Sequence, residues 1–266
     1  MEIPLFPLHT VLCPGIVVPL HIFEERYRAM TRHCLETGAP FGIVLIRDGR
    51  EVGAGGRFAL AGVGALVEIR KAGRYPDGRY DLLAAATGRF AIRTVDLSRA
   101  PYIVADVTPL EDDVGDELRA ERLAATAIRK FVRYLELMRT REGESGDALD
   151  TQIELDRPEE SDTDDALPPR RTLGTTTLDA PDGSAAGDGQ IVTGLAIPDD
   201  PTVLSYLLSG IIQVELPRRQ RLLEAATTVQ RLEELVMLLD REVLLLGLRL
   251  RLSVPDQAMS DGSRRS

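Results

Sequence analysis

The chain has 266 residues, 44% of them apolar and 28% charged, which suits a folded protein of one elaborated domain or two small lobes. Its formal net charge of −10 sits entirely between residues 144 and 196, where thirteen acids face three arginines. The rest is electrically balanced and lacks the basic excess that a phosphate-binding surface needs, so no nucleic-acid partner is expected.

The opening Met1-Glu2-Ile3-Pro4-Leu5-Phe6-Pro7 has an acid where a signal peptide carries positive charge. No uninterrupted apolar run reaches the roughly 18 residues of a spanning helix, so no membrane partner is expected either. Two cysteines, Cys13 and Cys34, are too few to staple a chain this long, and a reducing, cytoplasmic location is the expectation.

Residues 1 to about 110 read as β-rich, with short apolar or alternating runs separated by Gly, Pro and Asp. The expected strands are Ile3 to Leu8, Val17 to Leu20, Phe41 to Arg47, Leu60 to Lys71, Tyr80 to Ala86, Arg89 to Val95 and Tyr102 to Leu110. Arg74-Tyr75-Pro76-Asp77-Gly78-Arg79 should turn one strand into the next, because proline fixes φ and Asp-Gly tolerates a positive φ. A single helix interrupts the strands from about Phe23 to Glu36, where Phe23, Tyr27, Met30 and Cys34 recur at helical spacing.

From Val114 to about Thr140 the pattern turns helical, with Leu118, Ala125, Ile128, Val132, Leu135 and Met138 as the expected face. Residues 142–198 are rich in Asp, Glu, Gly, Thr and Pro and read as an acidic disordered insertion. Helix resumes after Asp199-Asp200-Pro201, an acid at the cap followed by proline at the first helical position. Val203, Leu204, Leu207, Leu208, Ile211 and Ile212 are its expected buried face. One long helix should then start near Pro217, with Leu222, Ala226, Val229, Leu232, Val236, Leu239, Val243, Leu246 and Leu250 repeating at steps of three and four. The tail from 253 to 266 has nothing to bury and should be disordered.

No catalytic, cofactor-binding or metal-binding residue is expected. A P-loop needs lysine after glycine to hold phosphates, and neither Lys71 nor Lys130 has that neighbour. A Ser-Lys dyad needs a desolvated lysine, whereas Lys130 lies in an arginine-rich helix and Lys71 at a strand end. His9, His21 and His33 fall near Cys13 and Cys34 in sequence, but without the paired spacing of a zinc site, and Cys34 fits a buried helix face. No third residue completes a Cys-His nucleophile. Gly53-Ala54-Gly55-Gly56 and Gly62-Val63-Gly64 lack a following helix and read as backbone turns and bulges. Glu24 and Arg26 flank the start of the first helix, where an acid meets the positive end of the dipole.

The run Pro4-Leu5-Phe6-Pro7-Leu8, Val11-Leu12-Cys13-Pro14-Gly15, and Pro19-Leu20-His21-Ile22-Phe23-Glu24-Glu25-Arg26-Tyr27 resembles the opening of the Lon protease amino-terminal domain. The likeness continues through Phe41 to Leu45, Gly62 to Ala65, Glu68-Ile69, Asp77-Gly78-Arg79, Gly88-Arg89-Phe90 and Pro101-Tyr102. It returns in Gln220-Arg221-Leu222-Leu223-Glu224 and Arg231-Leu232. The resemblance implies an α+β fold: a β-rich, PUA-like pseudobarrel lobe over residues 1–112, followed by a helical bundle lobe over 113–141 and 199–252 with one long C-terminal helix. It also implies a non-catalytic protein- or peptide-recognition module without ATPase or peptidase domains. Its partners would be unfolded or tagged polypeptides and a separate protease, held in a groove between lobes or along a strand edge. Which residues would contact peptide is not legible. A small-molecule-binding regulatory domain, an uncharacterised hydrolase and self-association through the last helix are the competing readings.

Overall fold

The structure is a computed structural model that describes residues 1–48, 59–144, 191–192 and 195–253. Most of the 142–198 insertion and almost all of the 253–266 tail lie outside the described residues, as does Gly53 to Gly56.

Five strands close on themselves. β1 (Glu2–Leu8) pairs antiparallel with β7 (Ile103–Leu110), β7 with β6 (Tyr80–Asp96), β6 with β5 (Val63–Arg74) and β5 with β3 (Phe41–Asp48). The ring is completed by the parallel pairing of β3 with β1, Leu5 opposite Gly42 through Leu8 opposite Leu45. A closed ring leaves no open edge along its circumference. β4 (Ala59–Leu60) extends β3, and β2 (Val17–Ile22) pairs with the first half of β6. The parallel closure requires a crossover between β1 and β3. β2 and α1 (Glu25–Thr37) occupy it.

β6 is one strand of 17 residues where two were expected. The Thr87-Gly88 signal is a bulge: Leu66 faces Gly88 and Val67 faces Ala86, so Thr87 is the extra residue and the strand continues past it. Gly64 lies inside β5 and not in a turn. A Cβ there would sit 2.6 Å from both Phe90 Cζ and Ile43 O, and one at Gly42 would sit 2.6 Å from the same ring atom. The two glycines make room for the fully buried Phe90.

Apolar side chains from these strands form two clusters. One, containing Phe6, Ile22, Leu82 and Phe41, is capped by Tyr27, Met30 and Cys34 of α1. The other gathers Leu5, Val44, Phe90 and Val107, and takes in Leu223 from the helical part.

Helices α2 (Glu117–Glu144), α3 (Pro201–Ile211), α4 (Leu216–Glu224) and α5 (Thr228–Ser253) build a third core. The short strands β8 (Ile191–Val192) and β9 (Leu195–Ala196) pair with each other ahead of α3. Asp200 caps α3 by accepting from the Thr202 and Val203 amides, with Pro201 at the first helical position.

Two expected faces differ in part. In α2 the buried stripe is Ala120, Ala124, Ala127, Phe131, Tyr134 and Met138, while Leu118 is 65% exposed. Alanines let α5 approach closely, so the bulkier Ile128 and Leu135 are left at the margin. In α3, Leu204, Leu208 and Ile212 are buried as expected, but Val203 is exposed, and Ser205, Tyr206 and Ser209 widen the buried face.

The long C-terminal helix is present as α5, but its expected first turns belong to the separate α4. The chain leaves the helical conformation at Ala225, with ψ 130°, and Thr227 restarts it by accepting the Gln230 amide. The Thr228 amide donates to Asp113 O across the break.

Candidate functional site

The three-stranded unit β2–β6–β5 has one face under α1 and one toward solvent. Directly opposed residues of an antiparallel pair share a face. Opposition of Val17 with Ala85, Pro19 with Leu83 and His21 with Asp81, and of Lys71 with Leu83, therefore puts these side chains together on the outer side. Phe23, 53% exposed, and Tyr75 at the hairpin tip extend the patch. The His21 ring lies 6.3 Å from Phe23 and 6.2 Å from Tyr75, so three rings and two aliphatic side chains, Val17 and Leu83, form an exposed apolar platform.

One carboxylate organises its polar end. Asp81 accepts from Tyr75 OH at 2.5 Å with one oxygen and lies 2.6 Å from His21 Nδ1 with the other. Burial pushes the Asp81 carboxyl up, but the Tyr75 and His21 hydrogen bonds and nearby positive charge together hold it below the ordinary value. The same bond to Asp81 raises the Tyr75 hydroxyl.

The hairpin tip is set by Gly78 at φ 86°, and Arg28 of α1 ties it down by donating to the carbonyls of Asp77 and Gly78. Arg79 bonds Asp77 and lies over the Tyr75 ring.

The edge of β2 is less suited to pairing than its face is to contact. Ala86 N donates to Ile16 O, so by strand alternation Val18, Leu20 and Ile22 turn their backbone groups toward β6. Val17, Pro19 and His21 then face outward, and Pro19 has no N–H to offer. A regular ladder along this edge would break at its centre.

Farther along β6, past the bulge, the strands and helices are joined by a buried polar cluster. Arg89 of β6, 3% exposed, donates to Leu223 O at 2.9 Å, Ala225 O at 2.7 Å and Asp112 at 2.8 Å. It thereby satisfies two carbonyls that the α4–α5 break leaves without helical partners. Arg231 of α5, 1% exposed, donates to Leu222 O, Ser205 Oγ and Tyr206 OH, and stacks 3.7 Å over the Tyr206 ring. The Tyr206 hydroxyl donates in turn to Asp112. Burial pushes Tyr206 up and Arg231 down from their ordinary values.

The histidines and cysteines do not converge. His9 is exposed, His21 belongs to the platform, His33 lies near Tyr102, and Cys34 is on the buried face of α1. Cys13 is fully buried, and burial lifts its thiol to about 11 against the nearby charges of Arg219, Arg231 and Arg89. Among the described residues no group of three or more His, Cys, Asp or Glu could hold a metal ion. Lys130 is paired with Asp240, and Lys71 is exposed on β5. Glu24 bonds Arg26 at 2.8 Å and makes no side-chain cap bond to α1. Among the described residues no helix is long and apolar enough to cross a membrane.

Sequence reasoning missed both the platform and the junction. A signal existed only for part of the second: Arg231 is in phase with the buried Leu235 and Leu238, whereas Arg89, directly before the inward-facing Phe90, reads by strand alternation as solvent-facing.

The family model for the ATP-dependent protease La (LON) substrate-binding domain matches residues 2–241. The chain is 24% identical to Lon protease 2 of Herpetosiphon aurantiacus over 100% of its length and 27% of that protein. It is 22% identical to the Lon protease of Escherichia coli K12 over 95% of its length and 26% of that protein. It thus spans about a quarter of these curated relatives. The fold is similar to that of a Lon N-terminal domain protein from Xanthomonas campestris, with TM-score 0.53, 22% identity and coverage of 89% of this chain and 98% of the other. The N terminal domain of the Mycobacterium avium complex Lon protease gives TM-score 0.51 at 16% identity, over 90% and 98% of the two chains.

Proposed function

Because this chain belongs to the LON substrate-binding domain family, we propose that it is a non-catalytic module that recognises unfolded or tagged polypeptides, using the outer face of β2–β6–β5. The observation that supports this reading is the exposed apolar platform of Val17, His21, Phe23, Tyr75 and Leu83 on a rigid sheet. An unfolded chain differs from a folded one mainly in the apolar side chains it displays, and a flat aromatic surface takes them without demanding one sequence. Face contact suits the site better than strand addition, given Pro19 on the outer edge. The action is contact alone, in the cytoplasm, with a separate protease acting on the bound chain. The same reading treats residues 1–112 as the recognition lobe and 113–141 with 199–252 as the lobe that supports it.

The test is fluorescence anisotropy with a labelled, reduced and carboxymethylated protein that cannot refold. Saturable binding is expected, weakened about tenfold or more by the double substitution Phe23→Ser, Leu83→Ser, which exchanges exposed apolar surface for polar. Circular dichroism of the variant should stay unchanged and its urea midpoint should fall only modestly, since Phe23 is 53% and Leu83 37% exposed. Absence of binding by the parent protein, or equal binding by the variant, would overturn the assignment.

A further inference from the structure

The charged groups on the outer face of β2–β6–β5 are settled among themselves, with one exception. Asp81 is engaged by Tyr75 and His21. Asp77 is bonded by Arg79 at 2.6 Å. Glu68, which the register sets opposite Ala85 and so on the side of Val17, is paired with Arg70 at 3.2 Å. Lys71 has no such partner. Among the described residues its ammonium takes part in no ion pair, whereas Lys130, the other lysine of the chain, is held by Asp240. Lys71 lies directly opposite Leu83, and Leu83 directly opposite Pro19. This row runs between that of Val17, Ala85 and Glu68 and that of His21, Asp81 and Gly73, so the unpaired cation stands beside the apolar contact surface at its middle.

An ammonium in that position bears on what can lie over the face. A polypeptide that covers Val17 and Leu83 strips water from Lys71 as well, and an uncompensated cation under an apolar cover costs free energy. A carboxylate in the covering segment offsets that cost and adds attraction, while a lysine or arginine there adds repulsion. The face thereby favours one sign and penalises the other, which lets a surface without a shaped pocket discriminate. Lysine suits this task. Its charge rides on a flexible stem and follows a carboxylate over a range of positions, where a guanidinium would demand one planar geometry.

We infer that the platform takes apolar polypeptide segments that carry an acidic side chain, and that Lys71 is the residue that reads the charge. The inference rests on the platform reading above and names its substrate class. The carboxylate is that of Asp or Glu within the segment, since three strands side by side offer an extended surface for a chain to cross.

The test uses labelled peptides with one apolar core flanked by glutamates, glutamines or lysines, both ends blocked so that side chains are the only variable charges. Anisotropy is read against the whole chain at about 0.15 M salt, where the net charge of −10 is screened beyond a short range. The parent should bind the Glu peptide about fivefold more tightly than the Lys peptide, with the Gln peptide between them. Lys71→Met keeps the stem, and should bring the three affinities together while binding the Gln peptide at least as tightly as the parent does. Lys71→Glu should invert the order. Lys71 is exposed and belongs to no core cluster, so both variants keep the fold. Binding of the Gln peptide with no order among the three, or an order that both substitutions leave in place, overturns the charge assignment and leaves the platform standing. Failure of the parent to bind any of the three overturns the platform reading and this inference with it.

Discussion

Two places in this molecule use the same small set of groups, a tyrosine hydroxyl and a cationic or proton-bearing side chain converging on one aspartate, and they differ almost only in burial. At the junction, Tyr206 and Arg89 share Asp112, and the Arg89 and Arg231 side chains are 2% and 1% exposed. At the platform, Tyr75 and His21 share Asp81, with His21 and Asp81 side chains 40% and 53% exposed. Water competes for every bond of the second set, whereas in the first it reaches Asp112, 35% exposed, but not the two guanidiniums. The hydrogen-bond pattern is therefore a poor guide to weight. The junction fixes how strands and helices meet, whereas the platform keeps its polar groups ordered while leaving its rings free to be covered by something else.

The contrast is broken most directly at Arg231. Replacing it with methionine keeps much of the volume but leaves Ser205, Tyr206 and Leu222 O without their shared donor in a site closed to water. Losing one partner of a buried network costs about 3–5 kcal/mol, so Arg231→Met should lower the urea unfolding midpoint sharply. Arg231→Lys should recover little of it, because an ammonium cannot reproduce three divergent bonds and a stacked ring contact. Equal stability of the parent and Arg231→Met would mean that the junction is as dispensable as a surface pair.

The hairpin tip should respond with a smaller and more local loss. Gly78 has a positive φ, and a Cβ would come 2.2 Å from the Arg28 guanidinium that ties α1 to the turn. Gly78→Ala should cost roughly 1–2 kcal/mol through backbone strain and the severed tether. Hydrogen exchange would show where: faster for amides between residues 72 and 82, with those between 222 and 231 unchanged. Acceleration in both segments would show that platform and junction unfold as one unit and remove the distinction between them.

The difference between the two places also explains what could be read from sequence. Strand and helix positions, the Asp77-Gly78 turn and the Asp200-Pro201 helix start are local features, decided within a few residues, and the structure has them. The family likeness likewise predicted the α+β architecture, and the closed strand ring and long α5 agree with it. The junction is a different kind of fact. Arg89 reaches Ala225 across 136 residues, and an arginine in a strand pattern ordinarily reads as solvent-facing. The α4–α5 break was hidden because Ala225-Ala226-Thr227 contains neither glycine nor proline and the apolar spacing runs through it unchanged. Its cause is tertiary, in Asp113 and Arg89. The platform was illegible for the converse reason: Val17 and Leu83 look like core residues in any alternation count. Their exposure is a property of the outer side of β2–β6–β5, which only the closed fold defines.

The smallest expected effect rests on the acidity of Asp81. Asp81 is held below the ordinary carboxylate value of 3.8, so the folded state favours its charged form. The stability from that preference is complete above about pH 4 and drains away as pH falls through 3.8 toward the lower folded value. Asp81→Asn has no such charge to lose. The difference in stability between parent and variant should thus be greatest near neutrality and shrink on acidification, and solvent screening keeps it within about 1 kcal/mol even at its largest. Other carboxyls titrate in the same window, among them Asp77, Asp96 and Glu215, which are also held low, but they are common to both proteins and cancel in the difference. Urea midpoints of the two proteins between pH 7 and about pH 3 supply the measurement. A difference of several kcal/mol at neutral pH would place Asp81 in the same energetic class as Asp112. The exposed platform would then be a structural element first, and its rings would no longer be free to serve as a contact surface.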